Sequence, residues 1–377
     1  MELSIRKKDL ERGLARTHAV ADRKSSMPIL SNILLSSDEG RLRFAATDLY
    51  LSVTASTEAQ VSGSGTIALS AKTLFEIAKN LPDGEVQLQA VDSHAAQIRA
   101  GKARFKIPGM PGQDFPPLPD PDDAEFASLP AEELGRLIAL TQYSMSTDET
   151  RPHLAGALLE GDGKNVRMVT TDGHRLSKAE FKLGDGAPML NFQMLVPHKG
   201  VIELRRMIEE AKSEQGKGDD GPSQVEIATA GGNAFFRRAD VLLSVKLADA
   251  VFPPYDKVIP GSHQRRLIIG RIPLLEALKR IRLVANDKSG SVRFQVEPGT
   301  LRLTSENPDV GEGSEELDID YAGEPVEIGF NARYLIDCLN AVTEDEVALE
   351  LGGNLDPGVV KPDGPTDFIG VVMPMRI

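Results

Sequence analysis

Two spacings of apolar residues alternate along this chain, and the alternation recurs six times. Stripes with apolar positions three or four apart predict amphipathic helices. They are Leu10 and Leu14; Leu74, Ile77, Ala78 and Leu81; Leu134, Leu137, Ile138 and Thr141; the segment "VIELRRMIEEAK" at 201–212; Leu274, Leu278 and Ile281; and Leu335, Cys338, Leu339 and Val342. Each stripe follows a short strand-like run. Each is followed by alternating segments with Gly-containing turns, such as "ILSNILLSSDEGRLRFAATD", "LAGALLEGDGKNVRMVTTDG" and "VRFQVEPGTLRLTSEN". Two connectors rich in proline, "GQDFPPLPDPDD" at 112–123 and "AVFPPYDKVIPG" at 250–261, divide the six units into pairs. The expected fold class is α+β. Three similar domains span 1–123, 124–261 and 262–377, and each contains two half-units of one helix and about four strands. A half-unit is too small for a core of its own, which favours closed paired domains over a solenoid.

Composition narrows the function. No apolar run approaches the ~18 residues of a membrane span, and the opening "MELSIRK" does not read as a leader. Cys338 is the only cysteine, so no internal disulfide is possible and a cytoplasmic setting is expected. Tryptophan is absent, which argues against binding of single strands by base stacking.

The formal charge is −13, yet the predicted helices run the other way. Residues 6–24 carry seven Lys/Arg against three Asp/Glu, a net of +4, and residues 271–288 carry five against two, a net of +3. The helical segments at 72–79 and 199–212 are each +1, 331–342 is neutral and 132–151 is −2. A basic helical face on an acidic body suits a polyanion held through its phosphates, without sequence preference and with strong salt dependence. No motif for reading bases accompanies it.

The stretch "TTDGHRL" at 170–176 gathers residue types used by hydrolases and metal sites. The repeats argue for a turn instead. The first domain has Thr47-Asp48 and the third "TSENPDV" at the same place, so the polar pair recurs without its His and Arg. Asp is expected to accept backbone N–H bonds, with Gly173 taking the left-handed corner. No nucleophile elbow or ligand cluster accompanies it, so no catalytic residue, metal or cofactor is expected. A hydrolase using Asp172 and His174, or a scaffold that never encloses DNA, are the alternative readings.

The whole chain resembles the bacterial sliding clamp family, the beta subunit of DNA polymerase III. The resemblance rests on "MPILSNILL" at 27–35, "TDGHRL" at 171–176, "VPHKGVIELRRM" at 196–207, "FPPYDKVIP" at 252–260, "IGFNARYLIDCLNA" at 328–341 and "VVMPMRI" at 371–377. It implies the DNA clamp fold, closed as a six-domain ring by a head-to-tail homodimer. The helices would line a hole around double-stranded DNA, making the chain a non-enzymatic processivity factor. Replicative polymerase, clamp loader and repair proteins are the implied partners, held through short peptide motifs.

By matching position, the resemblance implies a peptide pocket of Leu154, Thr171, Gly173, His174, Arg175, Leu176, Pro253, Lys257, Val258, Asn331, Tyr334, Val372, Met373, Pro374, Met375 and Arg376. Lys257 stands where many relatives have arginine. The implied DNA contacts are Arg23 and Lys24 in a loop, and Arg12, Arg16, Lys72, Lys79, Arg136, Lys199, Arg205, Lys279, Arg280 and Arg282 on helices. The implied ring-closing contact sets Phe105, Lys102 and Arg104, on a single edge strand at 98–107, against Leu283, Val284 and an acidic stretch containing Glu306.

Overall fold

The computed structural model describes residues 1–22, 24–122, 124–214, 223–261, 263–286 and 289–376, with the side chains of 211–214 left aside. Arg23 therefore lies outside the described residues, as does most of the polar segment 213–223.

Six α-helices stand where the apolar stripes predict them: α1 Lys7–Thr17, α2 Ala71–Asn80, α3 Ala131–Thr141, α4 His198–Glu214, α5 Arg271–Ile281 and α6 Ala332–Ala341. Their start signals are local. The Ser70 hydroxyl accepts from the Thr73 amide at 3.4 Å ahead of α2, and the Asn331 side chain accepts from the Arg333 amide at 2.9 Å ahead of α6. Leu10, Leu14, Leu74, Leu134, Leu137, Ile138, Leu274, Leu278, Leu335 and Leu339 are all buried. Each stripe is therefore the face its helix turns into the core.

The strands explain why the half-units come in pairs. The strand leading into each helix does not pair with the strand that follows that helix; it crosses to the sister half-unit. Glu2–Arg6, which leads into α1, pairs with Glu85–Asp92 after α2, and Gly65–Ser70, which leads into α2, pairs with Asn32–Asp38 after α1. The exchange recurs in the middle third, where Ala127–Pro130 pairs with Gln224–Ala230 and Leu190–Pro197 with Gly156–Gly163. It recurs again in the last third, between Arg265–Gly270 and Glu346–Leu351 and between Val326–Asn331 and Ser291–Glu297.

Contacts sort the chain into two compact units, Met1–Glu132 with Ile202–Leu247, and Glu133–Val201 with Ala248–Ile377. In the first unit one 13-stranded sheet runs across the 112–123 connector, because Leu51–Glu58 pairs with Val241–Lys246. In the second unit an eight-stranded sheet runs across the 250–261 connector through Arg175–Lys182 and Phe368–Val372. A four-stranded sheet in this unit ends on Gly311–Asp318.

One expectation is corrected. Residues 98–107 are not a single edge strand but the turn of a hairpin, Ala95–Ala100 and Ala103–Pro111, with Gly101 at φ 55° between them. The alternation of "IRAGKARFKI" changes phase at the turn, from Ile98 and Ala100 to Ala103, Phe105 and Ile107, and that break beside Gly101 is its local signal.

Candidate functional site

The "TDGHRL" turn joins two strands of the second unit, Asn165–Thr171 and Arg175–Lys182. Asp172 accepts the amides of His174 at 2.9 Å and Arg175 at 3.1 Å, while the Thr171 hydroxyl donates to the Arg175 carbonyl at 2.6 Å. Gly173 takes the left-handed corner at φ 90°. The first-domain copy has the same bonds: Asp48 accepts from Tyr50 at 3.0 Å and Leu51 at 2.8 Å, and Thr47 donates to Leu51 at 2.9 Å. The third copy keeps one bond of the set, the Asn307 side chain accepting from the Asp309 amide at 3.0 Å. The Thr-Asp pair is thus a turn device, as the repeats predict.

What the second copy adds is a set of attachments. Four segments of the second unit meet at the turn. The Met373 amide donates to the His174 carbonyl at 2.9 Å, and the Met375 amide to the Gly329 carbonyl at 2.8 Å, so the tail 373–376 is tied between the turn and the strand entering α6. Leu176 lies opposite Val371 and belongs to an apolar cluster with Leu158, Val169, Leu195, Phe252, Tyr255 and Val359. That cluster brings the 250–260 connector, and with it Pro253, Lys257 and Val258, alongside. Leu154 and the Arg151 guanidinium face Gly173, and Arg151 also donates to the Asp172 carbonyl at 3.2 Å.

Solvent divides this cluster in two. Leu154, Thr171, Leu176 and Val372 are buried, Pro253, Pro374 and Met375 are half-buried, and Lys257, Val258, Met373 and Arg376 are exposed. An apolar floor with an adaptable thioether and two cations at its rim suits an apolar linear peptide. Asn331 is already occupied: besides capping α6 it donates to the Ser289 carbonyl at 3.0 Å.

Arg175 is nearly sealed from solvent, its side chain only 9% exposed. Its Nε meets Asp172 at 3.0 Å, its Nη1 meets Asp337 on α6 at 2.6 Å, and its plane lies near the Tyr334 and Tyr143 rings, 4.7 and 5.4 Å from their centroids. Burial opposes this charge, but the two carboxylates hold the guanidinium's pKa above its ordinary value. Two residues of the site went unread in the sequence, Arg151 and Asp337. The only sequence signal for Arg151 is its place three residues after Asp148, to which it is paired at 3.0 Å. Asp337 gives none, since its partner is 162 residues away.

The basic candidates also separate. Lys24, Lys72, Lys79, Lys199 and Arg282 are exposed, and Arg12, Arg136, Arg205, Lys279 and Arg280 are partly tied to Asp9, Glu133, Glu209, Glu276 and Glu315. Arg16 is the exception and is corrected. It is 5% exposed and bonds Glu210 at 3.3 Å and Asp240 at 2.9 Å within the first unit, so it holds α1 to the chain rather than facing a ligand. Phe105 and Arg104 are exposed on the second hairpin strand, and Lys102 is exposed in the turn before it. Leu283 is 77% exposed at the end of a 3-10 turn, Arg282–Val284, and Glu306 is exposed nearby in sequence.

The relatives of the chain agree with one another. The family descriptions that match are the N-terminal, central and C-terminal domains of the DNA polymerase III beta subunit, over residues 1–119, 128–254 and 256–376. The beta sliding clamp of Caulobacter vibrioides is 35% identical, with all of both chains covered. Among solved structures, the DNA polymerase III subunit beta of Pseudomonas aeruginosa matches with a TM-score of 0.93 at 30% identity over all of both chains. A sliding clamp of the same organism, bound to griselimycin, matches at 0.92 and 29%, also over all of both chains. A thrice-repeated α+β fold of this kind defines the class: it is a DNA clamp. The chain belongs to the DNA polymerase III beta subunit family, the beta sliding clamps, and serves as a polymerase processivity clamp.

Proposed function

We propose that two copies of this chain close head to tail into a ring around duplex DNA. Each copy would comprise three domains, 1–123, 124–261 and 262–377, and would carry no catalytic residue. The ring would hold polymerase, clamp loader and repair proteins at the turn 171–176 and the tail 373–376. The observation that carries ring closure is a rule of pairing. The last main strand of the first half-unit pairs with that of the fourth, and the last of the third with that of the sixth. The same step leaves two edges for a second copy: Gly311–Asp318 of the fifth half-unit and, in the second, the 103–107 part of Ala103–Pro111 that Gly65–Ser70 does not cover.

The register supports this choice. Ser177 stands opposite Gly370 within the second unit, and carrying that pairing to the free edges sets Gly313 against Phe105 of the second copy. The same register opposes Glu312 to Lys106 and Glu316 to Lys102, opposite charges on cross-strand pairs. A side chain at Gly313 would meet Val284 at 2.9 Å, so the glycine leaves Val284 and Leu283 open to an aromatic ring. Such a contact is heterologous and closes only because the rotation returns after two copies.

The peptide pocket is proposed as the residues named in the sequence analysis, with Arg151 added. The griselimycin-bound relative supports a ligand site on this fold. The exposed lysines and arginines of the helices would touch phosphates only, which allows sliding.

Retention on nicked circular plasmid tests the ring. The protein should stay bound through gel filtration and be lost on linearisation. Gly313→Val should sediment as a monomer and fail to be retained. Equal retention on circular and linear DNA would sink the topological reading.

A further inference from the structure

Three copies of one turn are present, yet only the second has the attachments described above. Its distinguishing group is Arg175, where the first copy has Leu51. The Arg175 side chain joins three pieces: the turn through Asp172, α6 through Asp337, and the end of α3's run through the Tyr143 ring, where Thr170 also bonds the Thr141 carbonyl and Ser144 the Ser177 hydroxyl. Tyr143 is itself buried beside Cys338 and Ser177. On the outer side, the Tyr334 ring lies under the guanidinium and nearly parallel to the His174 ring, at 14° with centroids 6.2 Å apart. His174 and Tyr334 therefore owe their spacing to a cation that is itself almost sealed from solvent.

We infer that Arg175 and Asp337 are positioning residues of the peptide site. The chain Asp172–Arg175–Asp337 fixes α6 against the turn, and so fixes the gap between His174 and Tyr334 that a peptide side chain meets. This rests on the peptide-site reading above. It goes beyond that reading by giving affinity to a carboxylate that does not touch the peptide. A second consequence is chemical. The planar guanidinium serves two carboxylates and two ring faces at once, a task an ammonium cannot perform. Charge alone at position 175 is then insufficient. A ligand-contacting cation would tolerate lysine; a cation held in four directions does not.

The test is a double-mutant cycle on the full-length protein. Binding of a fluorescent peptide carrying glutamine, leucine and phenylalanine is followed by anisotropy for the native chain, Arg175→Lys, Asp337→Asn and the double variant. Arg175→Lys should weaken binding by at least tenfold, Asp337→Asn by about threefold to tenfold, and the double variant no further than Arg175→Lys alone. Solution mass and the far-UV circular dichroism spectrum should be unchanged in all four, which separates a positioning effect from general unfolding. His174 ring proton shifts should move in Asp337→Asn, although that carboxylate is not bonded to His174. Native-like affinity in Arg175→Lys, or losses that simply multiply in the double variant, would overturn the inference. A native chain that does not bind the peptide at all would instead overturn the peptide-site reading.

Discussion

Leu49 and Gly173 occupy the same corner of two copies of one turn, Leu49 at φ 76° and Gly173 at φ 90°. The hydrogen bonds on either side match, so the first copy forces a bulky residue into a conformation that costs an L-amino acid roughly 1–2 kcal/mol. Leu49 is half exposed, and little packing is lost on removing it.

Leu49→Gly should therefore stabilise the protein, by about 0.5 kcal/mol after the extra chain entropy of glycine is subtracted. Gly173→Ala should destabilise it by about 1 kcal/mol; the new Cβ would lie no closer than 3.7 Å to any neighbour, so strain alone is responsible. Urea denaturation of the two variants measures both values, and a fall in stability for Leu49→Gly would contradict the strain argument.

Arg16 and Lys72 should respond differently to removal, although both are basic helix residues. Arg16→Met leaves Glu210 and Asp240 facing one another in the first unit. It should cost about 2 kcal/mol of stability, allowing for the partial exposure of both carboxylates. Its effect on the salt dependence of DNA retention should be negligible. Lys72→Ala should leave stability alone and reduce the slope of log retention against log salt by about 1. Exchanged outcomes would return Arg16 to the DNA face.

Alkaline pH should weaken the second unit early. Burial pushes the Cys338 thiol up to about 12 and raises the Tyr143 hydroxyl well above its usual value. In the unfolded chain the thiol titrates near its ordinary value of 9.0. Between the two values the unfolded chain has lost the proton and the folded one keeps it. The stabilisation is thus full below pH 9 and declines as pH rises toward 12, with a slope of about 1.4 kcal/mol per pH unit for this group. Cys338→Ala should flatten the decline between pH 9 and pH 10.5 in guanidinium unfolding, whereas an identical slope would refute the assignment.

The helices were legible because burial of one face imposes a period of 3.6 that short segments display by themselves: Leu134, Leu137, Ile138 and Thr141 all lie in the core. The turn at Asp172 was legible for the same reason, since its bonds span three residues. The exchange of leading strands was not. Ile5 faces Val86 across a distance in sequence that no local pattern reports. Arg16 was misread: a charge in a list of charges looks solvated until its partner, 194 residues away, is in place, and the Asp337 partner of Arg175 is out of local view in the same way, 162 residues off. The hairpin at Gly101 was missed although its glycine and the change of phase beside it, from Ile98 and Ala100 to Ala103, Phe105 and Ile107, were both in view.

The crossing of leading strands has a consequence for how the protein reaches its native state. Neither half of a domain can complete its sheet until the other has been assembled, so Glu2–Arg6 has only the short strand Gln60–Gly63 of its own half as a partner until Glu85–Asp92 is available to receive it. Each domain should consequently fold in one cooperative event, slowed by a long closure. A polypeptide cut between two halves would carry an orphaned strand and an open slot, and two such fragments would complete each other by trading strands.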